Sequence, residues 1–184
     1  MSCLAGCQSH GKDGFTSCTQ QGGGKVYPRV VTVYRDYVPS VGYKVCNKLS
    51  GKCLDAGTSR TAGTQIAQRT FDGSAGQVFN VIKVSADVYK IVNATSGLAL
   101  DGSGNLNNDQ WAGSARLLQN VYTGTITQKW RIQSLGGSDP GLKQMVPGNF
   151  SNWSMTVPNG GDGVGVTTGS WLSNDYQKWT VSPL

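Results

Sequence analysis

Two aspartates are the side chains best placed to bind a polar ligand. Asp55 ends the short apolar stretch Lys52-Cys53-Leu54-Asp55, Asp101 ends Gly97-Leu98-Ala99-Leu100-Asp101, and a glutamine follows each, Gln77 after 22 residues and Gln128 after 27. A carboxylate and a carboxamide acting together grip vicinal hydroxyls, the first by charge-assisted acceptance and the second by donating and accepting at once. An Asp after a strand also closes a turn through its own backbone. Residue type leaves both readings open for Asp55 and Asp101.

Other chemistries are poorly supplied. The chain has ten Asp and no Glu, and its one imidazole is His10. No Gly-Lys-Ser/Thr phosphate loop occurs, and no Asp pair has a recognisable catalytic setting, so an enzyme is not expected. Asp101-Gly102-Ser103-Asn105-Asn107-Asp109 spaces oxygen side chains somewhat like a calcium loop. Leu106 stands where such a loop needs Gly, however, and Ala112 where it needs its last acid, so the stretch reads as a polar turn. Five cysteines, Cys3, Cys7, Cys18, Cys46 and Cys53, include no Cys-x-x-Cys, and zinc would need unusual spacing. No metal and no cofactor is expected. Cys46 and Cys53 flank Asn47-Lys48-Leu49-Ser50-Gly51-Lys52, whose Ser-Gly is a turn signal, so a disulfide across a hairpin and an oxidising compartment are expected. An odd count leaves at least one of Cys3, Cys7 and Cys18 free or joined to another subunit. Asn93-Ala94-Thr95, Asn149-Phe150-Ser151 and Asn152-Trp153-Ser154 are glycosylation sequons.

The elements that hold these residues must be strands. Abundant Gly, 26 residues of it, with no Glu and only 14% charged residues, argues for many turns and against surface helices. A length of 184 residues fits one domain with an extension. The net charge of +6 is spread along the chain without a run of three basic residues, which does not suit a nucleic-acid footprint. No apolar run approaches a transmembrane helix and no export signal is recognisable. Leu4-Ala5-Gly6-Cys7 has the form of a bacterial lipobox, but the apolar segment that should precede it is missing.

Residues 1–41 read as an N-terminal arm. Its first part is rich in Gly, Ser, Gln and Cys and ends in Gly22-Gly23-Gly24; its second, Val26 to Val38, has the β-branched and aromatic content of an extended strand, confined by Pro28 and Pro39 to an edge or a connector. Such a strand packs on its own domain or adds to a neighbour's sheet.

From residue 42 to 184 the chain repeats. Gln77-Val78-Phe79, Gln128-Lys129-Trp130 and Gln177-Lys178-Trp179 are spaced by 51 and 49 residues, and a short strand precedes each, the third being Trp153-Ser154-Met155-Thr156. Three repeats of this kind predict a closed all-β barrel with threefold pseudosymmetry. The aromatics Phe79, Trp130 and Trp179 are spaced to enter a common core. Gln77, Gln128 and Gln177, two residues earlier on the same strand face, would tie down turn backbone, so all six are expected to be scaffold.

With Ser50-Gly51-Lys52-Cys53-Leu54-Asp55 and Thr95-Ser96-Gly97-Leu98-Ala99-Leu100-Asp101 each running on to its Gln-x-aromatic, the chain resembles the ricin-B-type lectins and related carbohydrate-binding modules. The resemblance implies a β-trefoil and glycan or polysaccharide binding. It implies a pocket within one repeat, made from the Asp, an aromatic platform some fifteen residues on, and an Asn beside the Gln. Here Asp55 and Asp101 keep the Asp, while the third repeat has Thr156. The Asn is replaced by Gly76, Thr127 and Tyr176. The platform position falls near Arg69, near Gln119-Asn120 and near Gly169, with Trp111, Tyr122, Trp171 and Tyr176 close enough to supply a displaced ring. The candidate binding residues are therefore Asp55, Arg69, Asp101, Asn120 and Trp111, in one or two partly retained pockets. Two other roles suit the same features. One is an assembly subunit that self-associates through the arm, and the other is the binding domain of a larger hydrolase. Either way the expected location is extracellular or on a cell or particle surface.

Overall fold

The computed structural model describes residues 41–104, 114–148 and 150–184, with the backbone of 7–10 and 15–18. The Val26–Val38 strand, Cys3, the tetrapeptide before Cys7, Trp111 and the later part of the calcium-like stretch lie outside the described residues. The chain divides into two compact units, Met1–Arg35 and Asp36–Leu184. In the first, β1 (Cys7–His10) and β2 (Phe15–Cys18) form an antiparallel ribbon whose register pairs Cys7 with Cys18.

The second unit is built from three similar runs of strands. The first holds β3 (Tyr43–Asn47), β4 (Cys53–Asp55), β5 (Thr64–Gln65), β6 (Ala67–Arg69) and β7 (Phe79–Ser85). The second holds β8 (Val88–Asn93), β9 (Ala99–Gly104), β10 (Ser114–Asn120) and β11 (Trp130–Ser134). The third holds β12 (Lys143–Pro147), β13 (Trp153–Thr156), β14 (Val164–Gly165), β15 (Thr167–Ser170) and β16 (Lys178–Pro183).

Pairing closes the outer strands into a barrel. Going round, β3 pairs β7, β7 pairs β8, β8 pairs β11, β11 pairs β12, β12 pairs β16, and β16 returns to β3 in the register Tyr43 to Pro183 through Asn47 to Trp179. Closure leaves no free barrel edge, which is how an all-antiparallel fold avoids strand addition. The inner strands form hairpins, β4 with β6, β9 with β10 and β13 with β15, and neighbouring hairpins join through β14 to β6, β5 to β10 and β10 to β15. A six-stranded barrel capped by three hairpins is a β-trefoil.

The alternation expected of a barrel strand is clearest in β3 and β8. In β3 and β8, buried and half-buried residues take turns along the strand, so one face enters the barrel. Val45, Ile91 and Met145 fill one core layer, Leu54, Leu100 and Met155 a second, Ile66, Leu117 and Val166 a third, and Phe79, Trp130 and Trp179 the centre, all fully buried. Burying one such side chain is worth roughly 1.5–3 kcal/mol, so matched residues from three repeats dominate the stability. Each tryptophan also satisfies its indole N–H, Trp130 on the carbonyl of Leu100 at 3.2 Å and Trp179 on that of Met155 at 2.9 Å.

One local expectation is corrected. The motif glutamines do not share a strand face with their aromatics; each is the last residue of a 3-10 turn, Ala75–Gln77, Ile126–Gln128 or Asp175–Gln177, just ahead of the strand. The turn aims the amide back over the preceding loop. Gln77 accepts from the Asp72 N–H and donates to the Thr70 carbonyl, both at 2.9 Å; Gln177 does the same with Leu172 at 2.7 Å and Ser170 at 2.6 Å. The described residues also contain a Cys46–Cys53 disulfide across the paired strands β3 and β4.

Candidate functional site

Asp55 and Asp101 sit at equivalent points, at the mouth of a cap hairpin, and both are buried. Leu54 and Leu100 beside them are fully buried in the core, while Gly57 begins the turn after β4 and Ser103 lies within β9, where its pairing with β10 shifts register. Asp55 Oδ1 accepts the Gly57 N–H at 2.6 Å, and Asp101 Oδ1 accepts the Ser103 N–H at 3.0 Å. The contact to the backbone N–H two residues on is therefore present at both. The second oxygen of each carboxylate faces the motif glutamine, Gln77 Nε2 at 3.4 Å and Gln128 Nε2 at 3.2 Å.

The residue at the platform position completes each cluster. Arg69 lies beside Asp55, its Nε 3.8 Å from Oδ2, and Asn120 donates to Asp101 Oδ2 at 3.0 Å. A carboxylate offers about four acceptor positions. Hydrogen bonds from the described residues occupy two on Asp55 and three on Asp101, which leaves each acceptor capacity among those residues. The third repeat brings no carboxylate to Gln177, since Thr156 occupies the place of the Asp.

Each cluster is walled by the repeat before it in the ring. The loop of the first repeat reaches the second through Gly63, whose N–H donates to the Gln119 carbonyl at 2.9 Å and to Asn120 Oδ1 at 2.8 Å. The loop of the third repeat reaches the first in the same way. Gly163 N–H donates to the Gln68 carbonyl at 2.8 Å, Gln68 Nε2 donates to the carbonyls of Asn159 at 2.7 Å and Gly161 at 2.9 Å, and Asp162 Oδ1 accepts the Thr70 N–H at 2.7 Å. That backbone N–H, helped by the Thr70 hydroxyl, holds the Asp162 carboxyl below the usual carboxylate range.

The positions that differ from the family pocket have visible causes. A side chain at position 76 would place its Cβ 2.6 Å from Asp55 Oδ1 and 2.6 Å from the Gly57 carbonyl, so the Asp55 turn has closed over the place of the Asn. The rings nearest the clusters are used elsewhere. Phe71 lies under Lys44 at 4.6 Å and Tyr122 under Lys90 at 4.7 Å, matching cation–π pairs in matching repeats. Trp171, their counterpart, is half-buried, its backbone N–H donating to the Asn152 carbonyl, and Tyr176 is 39% exposed. Phe71, Asp162 and Gln68 were missed by motif reading. Counting six residues back from each motif Gln would have found the Phe71, Tyr122, Trp171 series, whereas Asp162 comes from another repeat and carries no sequence signal.

A family model described as ricin-type β-trefoil lectin domain-like matches residues 32–112. The chain carries a ricin-B-like β-trefoil. Among solved structures, the designed threefold-symmetric protein ThreeFoil is 29% identical, with a TM-score of 0.69 over 78% of this chain and 99% of that one. The exo-β-1,3-galactanase 1,3Gal43A from Clostridium thermocellum is 28% identical, with a TM-score of 0.68 over 81% of this chain. This chain spans only 32% of that enzyme's length. The ricin B-like lectin of Macrolepiota procera, solved with lactose, shares the fold at 15% identity, with a TM-score of 0.65 over 80% of this chain and 98% of the lectin. No curated protein sequence matches the chain. Among the described residues, no group of three or more His, Cys, Asp and Glu side chains is arranged to hold a metal ion, and no helix is long and apolar enough to cross a membrane.

Proposed function

We propose that this protein binds glycans, without catalysing their cleavage, through two pockets centred on Asp55 and Asp101. The observation that carries the reading is the repeated cluster in which a buried carboxylate, a buried motif carboxamide and a polar residue from the closing strand converge, Asp101 with Gln128 and Asn120, and Asp55 with Gln77 and Arg69. Carboxylate and carboxamide side by side match the alternating donors and acceptors of a sugar's vicinal hydroxyls. The ricin-B-like fold and its lectin neighbours support carbohydrate binding in general. Both clusters lack an aromatic ring at the platform position, so each binds weakly and affinity grows with the number of sites engaged. The third repeat, with Thr156, is not a site.

The disulfide of the first repeat suits an oxidising location outside the cell or on a surface. The test is a glycan-array screen of the wild-type protein beside Asp55→Ala and Asp101→Ala. A specific signal lost in one variant identifies the working repeat. A folded wild type that binds no glycan removes the reading in favour of an assembly role for the scaffold.

A further inference from the structure

The two clusters are not chemically equivalent, and the difference lies at Arg69. In the second repeat the uncharged amide of Asn120 is engaged through both its atoms, donating to Asp101 Oδ2 at 3.0 Å and accepting the Gly63 N–H at 2.8 Å. In the first repeat the guanidinium forms loose ion pairs with two carboxylates and hydrogen-bonds neither. Its Nε is 3.8 Å from Asp55 Oδ2 and its Nη1 is 3.7 Å from Asp162 Oδ2, both longer than a hydrogen bond. Among the described residues it has no hydrogen-bond acceptor, so its five N–H donors are uncommitted, and its side chain is 53% exposed.

The surroundings hold it in that state. The carboxylates turn their charge toward protein donors, Asp55 to the Gly57 N–H and Gln77, and Asp162 to the Thr70 N–H at 2.7 Å and hydroxyl at 3.2 Å. Lys52 adds a second positive charge beside Asp162. Gly163, with φ of +74°, lies beneath the guanidinium, where even a Cβ would stand 3.3 Å from Nη1. A planar fork held by two loose ion pairs above a glycine, half-exposed and without a hydrogen-bond acceptor among the described residues, is suited to two oxygens of one anion.

Resting on the glycan-binding reading, we infer that the first-repeat pocket takes a saccharide bearing a carboxylate or a sulfate, with Arg69 as the residue that recognises the oxyanion. The second-repeat pocket, whose platform position is the uncharged amide of Asn120, takes a neutral sugar.

The test is calorimetric titration of the full chain with trigalacturonate, with sulfated galactotriose and with unmodified galactotriose. Wild-type protein binds one or both acidic probes about tenfold more tightly than the neutral one, and Arg69→Gln, a change at an exposed side chain, removes that preference. Lys143→Gln, which deletes the same charge on the β11–β12 hairpin, leaves the preference in place. An Arg69→Gln protein that still prefers the acidic probes overturns the inference, as does an equal loss in Lys143→Gln, which would mark diffuse attraction to a basic protein. A wild type that binds neutral glycan through Asp101 and shows no acidic preference overturns it while leaving the glycan-binding reading intact. Absence of binding to any glycan removes both.

Discussion

The first two repeats and the third share one backbone plan but not one polar interior. In the first and second, an asparagine ends the opening strand and clamps two turns at once. Asn47 donates to the carbonyls of Tyr176 and Lys178 and accepts from the N–H groups of Leu49 and Ser50; Asn93 donates to Gly76 and Val78 and accepts from Thr95 and Ser96. Ser50 and Ser96 then bond Gln68 and Gln119, which reach into the preceding loop. In the third repeat these places hold Pro147 and Thr168, and the Thr168 hydroxyl is buried with no partner among the described residues. The Asp is gone as well, replaced by Thr156. The third repeat thus keeps the apolar core positions and has lost the network that holds a polar pocket in shape. Scaffold and site are separable here, because core packing needs only volume whereas a binding cluster needs every member satisfied.

The comparison is broken most severely at the asparagine clamps. Asn93→Ala strands several buried turn groups at once and is expected to cost about 3 kcal/mol, with Asn47→Ala similar, as measured by urea unfolding. Losses below about 1 kcal/mol would mean that the clamps are incidental. Next comes the staple confined to the first repeat. Cys46 and Cys53 are only seven positions apart, and closing so short a loop is worth about 2.5 kcal/mol, so the double Cys→Ala variant should unfold at correspondingly lower urea.

The third repeat is tied to the first by an ion cluster in which Asp139 accepts from Lys178 at 2.7 Å and Lys48 at 2.9 Å, with Asp175 3.4 Å from the Lys178 ammonium and 3.2 Å from that of Lys48. Lys178, then Lys48, hold the Asp139 carboxyl below its ordinary range. A depressed carboxylate stabilises the fold above its unfolded value and loses that contribution as pH falls through the folded one. The melting temperatures of wild type and Asp139→Asn should therefore differ at neutral pH and converge below about pH 4. A gap unchanged by acid would remove the cluster from the account.

The smallest effect sharpens the contrast. Gly73, Gly124 and Ser173 occupy the same left-handed position four residues before each motif Gln, and Ser173, with φ of 57°, is the one non-glycine so placed among the described residues. Relieving that conformation should outweigh the extra freedom glycine has when unfolded, so Ser173→Gly is expected to stabilise by about 0.5 kcal/mol in the same assay. A destabilisation would show that Ser173 is doing something its backbone does not reveal.

These contrasts also mark what the sequence makes legible. Phe79, Trp130 and Trp179 are large and recur at a fixed spacing, so the threefold core could be read before any coordinates. The Asp55–Arg69 and Asp101–Asn120 meetings were legible only by counting along one repeat. Asp162 and Gly63 enter the clusters from neighbouring repeats, and the Gly76 closure depends on how one turn folds onto another; neither has a local signature, because both arise from ring closure. The misplaced motif glutamines have the same origin. Spacing of two suggests a shared strand face, but a 3-10 turn intervenes where the loop carbonyls of Thr70, Val121 and Ser170 need a donor.

The account's central claim is that glycans meet this trefoil at the polar clusters of the first and second repeats and not at the third. It is tested most directly by mapping amide chemical shifts while titrating a glycan that binds on the array. The account predicts movement of the signals around Asp55, Gly57 and Gln77 or around Asp101, Ser103 and Gln128, with Ser154, Thr156 and Gln177 unmoved; shifts confined to the third repeat would contradict it.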